Sequence, residues 1–268
     1  MPAPLNRFKA AIKADRPQIG LWAALANPYT AEILGGAGYD WLLLDAEHAP
    51  NDVPSLVAQL QALSSSSSSV VIRPPIGEAW IIKQLLDIGA QTLLVPMVES
   101  GEQVAERVRA MRYPPHGIRG VGAALARASN FNRIPDYLAT ANEQVCLLVQ
   151  VESRKGLDAL DEIVSVDGVD GVFIGPADLA ADMGYLGMPG APEVVAAVEQ
   201  AISRIVAAGK PAGILTGDQA FARRCLDLGA TFVAIGNDVT LFANAASKLL
   251  KDFRAGATTL AAKTDTYG

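Results

Sequence analysis

The chain has 268 residues, half of them apolar, and 28 acidic against 22 basic side chains give it a formal net charge of −6. That balance argues against nucleic acid, which demands a basic footprint, and does not favour an anionic membrane surface. No apolar run approaches the roughly 18 residues of a membrane span, and Met1 to Lys13 lacks the apolar stretch of a signal peptide, so a cytoplasmic enzyme or binding protein is expected. Cys146 and Cys225 lie far apart in apolar segments without metal-ligand spacing, and read as buried free thiols of a reducing compartment.

In chain order, short apolar runs alternate with longer helical patterns. The candidate strands are Ile19–Ala24, Trp41–Ala46, Val70–Arg73, Thr92–Met97, Val145–Val151, Gly171–Gly175, Ala212–Leu215 and Thr231–Gly236. They are continuously aliphatic rather than alternating, as parallel strands covered on both faces should be. Between them, Gly77–Ile88 and Glu193–Ala208 carry the apolar stripe of amphipathic helices. Gly38, Gly89, Gly209 and Gly229 stand where a helix would end in a left-handed residue before the next strand. Such βα alternation predicts one closed (β/α)₈ barrel over residues 1–268, for which about 250 residues is typical. An open dinucleotide-binding sheet would need a Gly-rich turn after an early strand, and none is present. Tyr113–Tyr137 is a long insert, expected to cross the active mouth or make a subunit contact. Ser64–Ser69 is low in complexity and reads as a mobile connection.

In a barrel, chemistry belongs to the C-terminal ends of the strands. Those ends present Trp22; Asp45, Glu47 and His48; Arg73; Gln150 and Glu152; Gly175, Pro176, Ala177 and Asp178; Leu215 and Thr216; and Asn237. Glu152 and Asp178 suit a hard divalent cation completed by water and substrate oxygens, although each also stands where a carboxylate favours a helix start. Arg73 ends an aliphatic strand, which requires either a structural ion pair or an oxyanion partner. His48 is a candidate general acid/base that Asp87 could orient, or simply a hydrogen-bonding loop residue. Backbone N–H groups of Gly175–Asp178 could cradle a carboxylate, or merely begin a helix. Lysines 9, 13, 83, 155, 210, 248, 251 and 263 all avoid the strand ends, which disfavours imine chemistry and leaves metal-stabilised enolate chemistry.

The segments Leu44–Asn51, Arg73-Pro74, Tyr113–Gly122, Val149–Glu152 and Gly171–Leu179 resemble, in order, those of the HpcH/HpaI aldolases, especially the 4-hydroxy-2-oxoheptane-1,7-dioate aldolase group. The resemblance runs from about Leu5 to Phe253 and departs from the family at Ser64–Ser69. It implies a class II pyruvate aldolase, a lyase of aromatic compound catabolism, splitting 4-hydroxy-2-oxo acids reversibly into pyruvate and an aldehyde. It implies Mg²⁺, Mn²⁺ or Co²⁺ on Glu152 and Asp178, Arg73 on the ketone oxygen, and a His48–Asp87 acid/base dyad. Asp45 and Glu47 would support metal-bound water. Gly175, Pro176 and Ala177 would line a carboxylate pocket, with Gln150 behind it and Trp22 and Leu215 as walls. It further implies homohexamers, trimers of dimers that exchange the last barrel helix, for which Asp238–Phe253 is the candidate. Two other readings stand beside it. An acyl-CoA lyase of the malyl-CoA or citramalyl-CoA type should show more basic residues and a longer C-terminal region. A non-catalytic 2-oxo-acid-binding barrel would show no enolisation.

Overall fold

The computed structural model describes the backbone through Thr264 and the side chains through Ala255. Its strands are β1 (Gln18–Ala23), β2 (Trp41–Asp45), β3 (Ser69–Arg73), β4 (Thr92–Val95), β5 (Cys146–Val151), β6 (Gly171–Ile174), β7 (Ala212–Leu215) and β8 (Phe232–Asn237). Each pairs in parallel with the next and β8 closes on β1, making the eight-stranded barrel expected of the alternation. The largest difference in strand bounds is at β4, which stops at Val95: Pro96 has no N–H to donate, and Met97 takes a left-handed φ of 54°.

Both faces of the strands are buried, but in different company. Leu42, Leu44, Ile72, Leu93, Val149, Val172, Ile214 and Val233 point outward into the core shared with the helices. Alternate residues point inward: Trp22, Trp41, Leu43, Val71, Leu94, Leu148, Phe173, Phe232 and Ala234 fill the barrel. Glycines make room for the aromatics. A Cβ on Gly20 would lie 2.2 Å from the Trp41 ring, and one on Gly213 would lie 2.1 Å from the Phe232 ring. Phe8, from the helix Arg7–Lys13, packs tilted against Trp41 at 5.6 Å and edge-on to Phe232 at 5.9 Å, at the end where the strands begin. Lys9 and Lys13 fasten that helix to the buried Asp170 at 3.2 and 3.3 Å. Phe8 and the two lysines therefore cover the floor of the barrel.

The structure bears on two loop expectations, mobility at Ser64–Ser69 and the first of the two alternatives for the insert. Ser64–Ser69 is tied down: Ser64 Oγ donates to the Gln61 carbonyl at 2.7 Å, Ser66 Oγ to Gly35 at 2.7 Å and Ser68 Oγ to Tyr39 at 2.6 Å. Those of Ser66 and Ser68 reach across to carbonyls of the 35–39 segment, while that of Ser64 adds to backbone bonds already made to Gln61. The insert after the helix Gly101–Met111 does not cross its own mouth. Barrel helices run antiparallel to the strands, so the insert begins at the closed end. There Arg127 donates to the carbonyls of Ile88 and Leu60, at the ends of the helices Ala79–Asp87 and Val53–Ala62.

The terminal helix, Asp238–Thr264, is anchored at its start, where Asp238 accepts from Ala24 N at 2.8 Å and Leu25 N at 3.1 Å. Beyond it, Leu241, Phe242, Leu249, Leu250 and Phe253 are exposed. Among the described residues no helix is long and apolar enough to cross a membrane.

Candidate active site

A cavity of ≈ 800 Å³ opens at the C-terminal end of the barrel, within the range of small-molecule sites. Of the residues expected there, Trp22, His48, Arg73, Gln150, Glu152, Gly175, Pro176, Ala177, Asp178 and Leu215 all line it. No lysine among the described side chains does; that of Lys263 lies outside them.

Arg73 makes the ion pair of its first reading while lining the cavity. Its Nε and Nη2 donate to Asp45 Oδ1 and Oδ2 at 2.9 and 2.7 Å, its Nη1 lies 2.9 Å from Glu47 Oε2, and its guanidinium stands 5.4 Å over the Trp22 ring. Asp45 and Arg73 face each other because β2 and β3 pair them in register. The Asp45 carbonyl in turn accepts from Asn51 Nδ2 at 2.6 Å, which folds the 45–51 loop back onto the strand end. Burial opposes the Arg73 charge, but the two carboxylates outweigh it and hold its pKa above the ordinary arginine value. Asp45 and Glu47, expected around metal-bound water, are thus engaged in clamping the arginine. The planar fork is held at all three nitrogens and still borders the cavity.

Glu152 follows β5 and is 3% exposed. It is not the cap of the next helix; Ser153 performs that task by accepting from Gly156 N at 3.0 Å. Instead Glu152 Oε1 accepts from Met97 N at 2.9 Å and Oε2 accepts a short bond from Gln150 Nε2. Gly175 approaches so closely that a Cβ there would lie 2.5 Å from Glu152 Oε2. Burial pushes the Glu152 pKa up to about 7 against the pull of those two donors, and the charges of Asp178 and Glu47 add to the rise. Asp178 sits exposed in the first turn of Pro176–Asp182, with Gly175 rather than any side chain at the helix start.

A hard cation fits this arrangement. A buried carboxylate is held at the expense of its own ionisation among further negative groups, and Gln150 Oε1 is buried without a partner beside it. The donors are oxygen throughout, the set that Mg²⁺ and its relatives prefer.

His48 lines the cavity with a side chain 66% exposed, its Nε2 3.8 Å from Glu47 Oε2. Asp87 is not brought to it within one chain. It ends the helix Ala79–Asp87 and therefore lies at the closed end, where it pairs with Arg119 of the insert at 2.7 Å.

The cavity also reaches residues that a search of strand ends overlooks: Pro189, Gly190, Val195, Phe221, Arg224 and Thr240. These lie on helices and on the connection between Pro176–Asp182 and Pro192–Ala207. For Pro189 and Gly190 the available signal was the long stretch between β6 and the helix Pro192–Ala207, because βα loops build barrel sites.

Fold and site together define a (β/α)₈ barrel with carboxylates and an arginine gathered at its C-terminal mouth, and its relatives make it a carbon–carbon lyase. The chain belongs to the HpcH/HpaI aldolase/citrate lyase family, which it matches over residues 18–245. It is 60% identical over 256 residues to a hydroxypyruvate/pyruvate aldolase of Agrobacterium fabrum, covering 96% of each chain. It is 59% identical over 253 residues to a 4-hydroxy-2-oxo-heptane-1,7-dioate aldolase of Escherichia coli, covering 94% of this chain and 97% of that one. A crystal structure of an HpcH/HpaI aldolase/citrate lyase family protein from Burkholderia cenocepacia superposes with a TM-score of 0.89 at 41% identity, over 93% of this chain and 99% of that one.

Proposed function

We propose that the protein is a divalent-metal-dependent pyruvate aldolase that cleaves 4-hydroxy-2-oxo acids reversibly into pyruvate and an aldehyde. The observation that carries this reading is the placement of a clamped Arg73 in the same cavity as Glu152 and Asp178. Glu152 and Asp178 would hold the ion, which when bound supplies Lewis-acid polarisation of the 2-oxo acid. Arg73 donates an Nη N–H that Asp45 and Glu47 leave over to the ketone oxygen and stabilises the charge that develops there. A donor fixed in advance, as Asp45, Glu47 and Trp22 fix this one, stabilises that charge without reorganising.

In the cleavage direction His48 takes the proton of the C4 hydroxyl. The pair left by the O–H bond forms the aldehyde carbonyl, the C3–C4 pair passes into the pyruvate enolate, and return of a proton to C3 from protonated His48 or solvent completes pyruvate. The exposure of His48 gives its proton a path to solvent. Asp87 would act on a histidine only across a subunit boundary, since its own chain carries it to the other end of the barrel.

The exposed apolar side chains Leu241, Phe242, Leu249, Leu250 and Phe253 support exchange of this helix with a second copy and assembly into the hexamer implied by the resemblance.

The direct test measures pyruvate C3-proton exchange and aldol addition across a panel of aldehydes, after chelation and after return of Mg²⁺, Mn²⁺, Co²⁺ or Zn²⁺. Exchange restored by metal and lost in Glu152→Ala supports the proposal. Absence of exchange under every metal returns the barrel to a binding role.

A further inference from the structure

We infer that Met97 is a positioning residue for Glu152, acting through its backbone conformation rather than its side chain; the inference rests on the reading of Glu152 as a metal ligand. Successive N–H groups of an extended strand point to opposite sides. Beyond β4 they do not. Met97 N donates to Glu152 Oε1 at 2.9 Å, and the next donor, Val98 N, bonds the Gln150 carbonyl at 3.0 Å. Both bonds reach the end of β5.

Two consecutive donors can face one neighbour because the residue between their peptide planes leaves the extended region, and Met97 does so with a φ of 54°. Methionine has no preference for that region, which favours glycine and asparagine. The Met97 side chain is 54% exposed, so little packing depends on its direction. What the conformation secures is the second bond on the Glu152 carboxylate. Gln150 Nε2 holds one oxygen, the Met97 N–H holds the other, and Gly175 leaves the space they occupy. Strain kept by a non-glycine residue at a functional carboxylate follows the pattern of backbone strain stored at sites.

The test is Mn²⁺ binding to the metal-free protein, read from the electron paramagnetic resonance of free Mn²⁺, with circular dichroism and melting as folding controls. It compares the wild type with Met97→Gly, Met97→Asn, Met97→Ala, Met97→Val and Glu152→Gln. Glycine and asparagine should bind within about twofold of the wild type, whereas β-branched valine should bind roughly tenfold more weakly. Equal binding by the valine variant, or losses in Gly and Asn as large as in Val, would overturn the inference. If Val misfolds, Gly against Ala decides: weaker binding by Gly overturns the backbone role. Glu152→Gln separates the two levels. If it binds Mn²⁺ like the wild type, the metal assignment falls and takes Met97 with it; if it loses Mn²⁺ while Met97→Val does not, only the Met97 role falls.

Discussion

Asp45 and Arg73 face each other across β2 and β3 and share two parallel hydrogen bonds of 2.9 and 2.7 Å, one from Nε and one from Nη2. A bidentate pair fixes the plane of the guanidinium as well as its position. Asp45→Asn offers one acceptor where there were two and leaves a buried cation partly uncompensated. The expected result is a roughly 10- to 100-fold fall in kcat with a smaller change in KM, together with a loss of about 1–3 kcal/mol of stability. Steady-state kinetics and urea melts check both. Arg73→Lys should lose on the order of 100-fold in kcat while remaining folded, because a point charge cannot copy the fork. An unchanged kcat in the lysine variant would confine Arg73 to structure.

Gly175 is expected to tolerate no side chain. A Cβ would stand 2.5 Å from Glu152 Oε2 and 2.8 Å from Glu152 Cβ, so the carboxylate would have to move. Gly175→Ala should weaken Mn²⁺ binding by at least about tenfold, since small displacements of a site group cost that much or more. Calorimetric titration with Mn²⁺ measures it, and the same affinity as the wild type would count against the placement of Glu152.

In the barrel floor, Gly213→Ala would drive a methyl to within 2.1–2.5 Å of the Phe232 ring. Overpacking of this kind costs about 1–3 kcal/mol. The double variant Gly213→Ala/Phe232→Leu should recover part of that loss, because the smaller side chain vacates the ring's position. Denaturant melts of the two single variants and the double variant give the coupling; strict additivity would show that the contact is relieved by other means.

The stability of the metal-free protein should depend on pH through Glu152. Its folded pKa is raised from 4.5 to about 7, so between those values the folded chain binds a proton that the unfolded chain releases. The Glu152 contribution to stability is therefore lost as pH rises from 4.5 to 7, by about 3 kcal/mol, and then levels off. Glu152→Gln should lack this fall. Mn²⁺ selects the ionised form, so the increase in wild-type Tm on adding Mn²⁺ should be larger at pH 8 than at pH 6. Calorimetry at both pH values, with and without metal, checks the sign.

The terminal helix provides an assembly prediction. Leu249→Asp/Phe253→Asp places charges on its exposed apolar side chains, and sedimentation should show a shift toward smaller species if a second copy covers them. An unchanged distribution would assign that surface elsewhere.

The order of the fold was legible from the amino acids because parallel strands buried on both faces are continuously aliphatic, and because Gly38, Gly89, Gly209 and Gly229 mark helix ends, each with a positive φ in the structure. Strand-end position was enough to bring Trp22, His48, Arg73, Gln150, Glu152 and Leu215 to one cavity. What surrounds each group was decided only by the closed barrel. Arg73 meets Asp45 and Glu47 through the register of β2 and β3. Glu152 meets Met97 because β4 and β5 pair and Pro96 ends the first of them. Asp87 moves away from His48 because its helix runs antiparallel to the strands. Local periodicity specifies which face of an element is apolar, but it contains no term for which side chains from distant segments will share a low-dielectric site. Those pairings, and the Glu152 pKa that follows from them, exist only once the strands are in register.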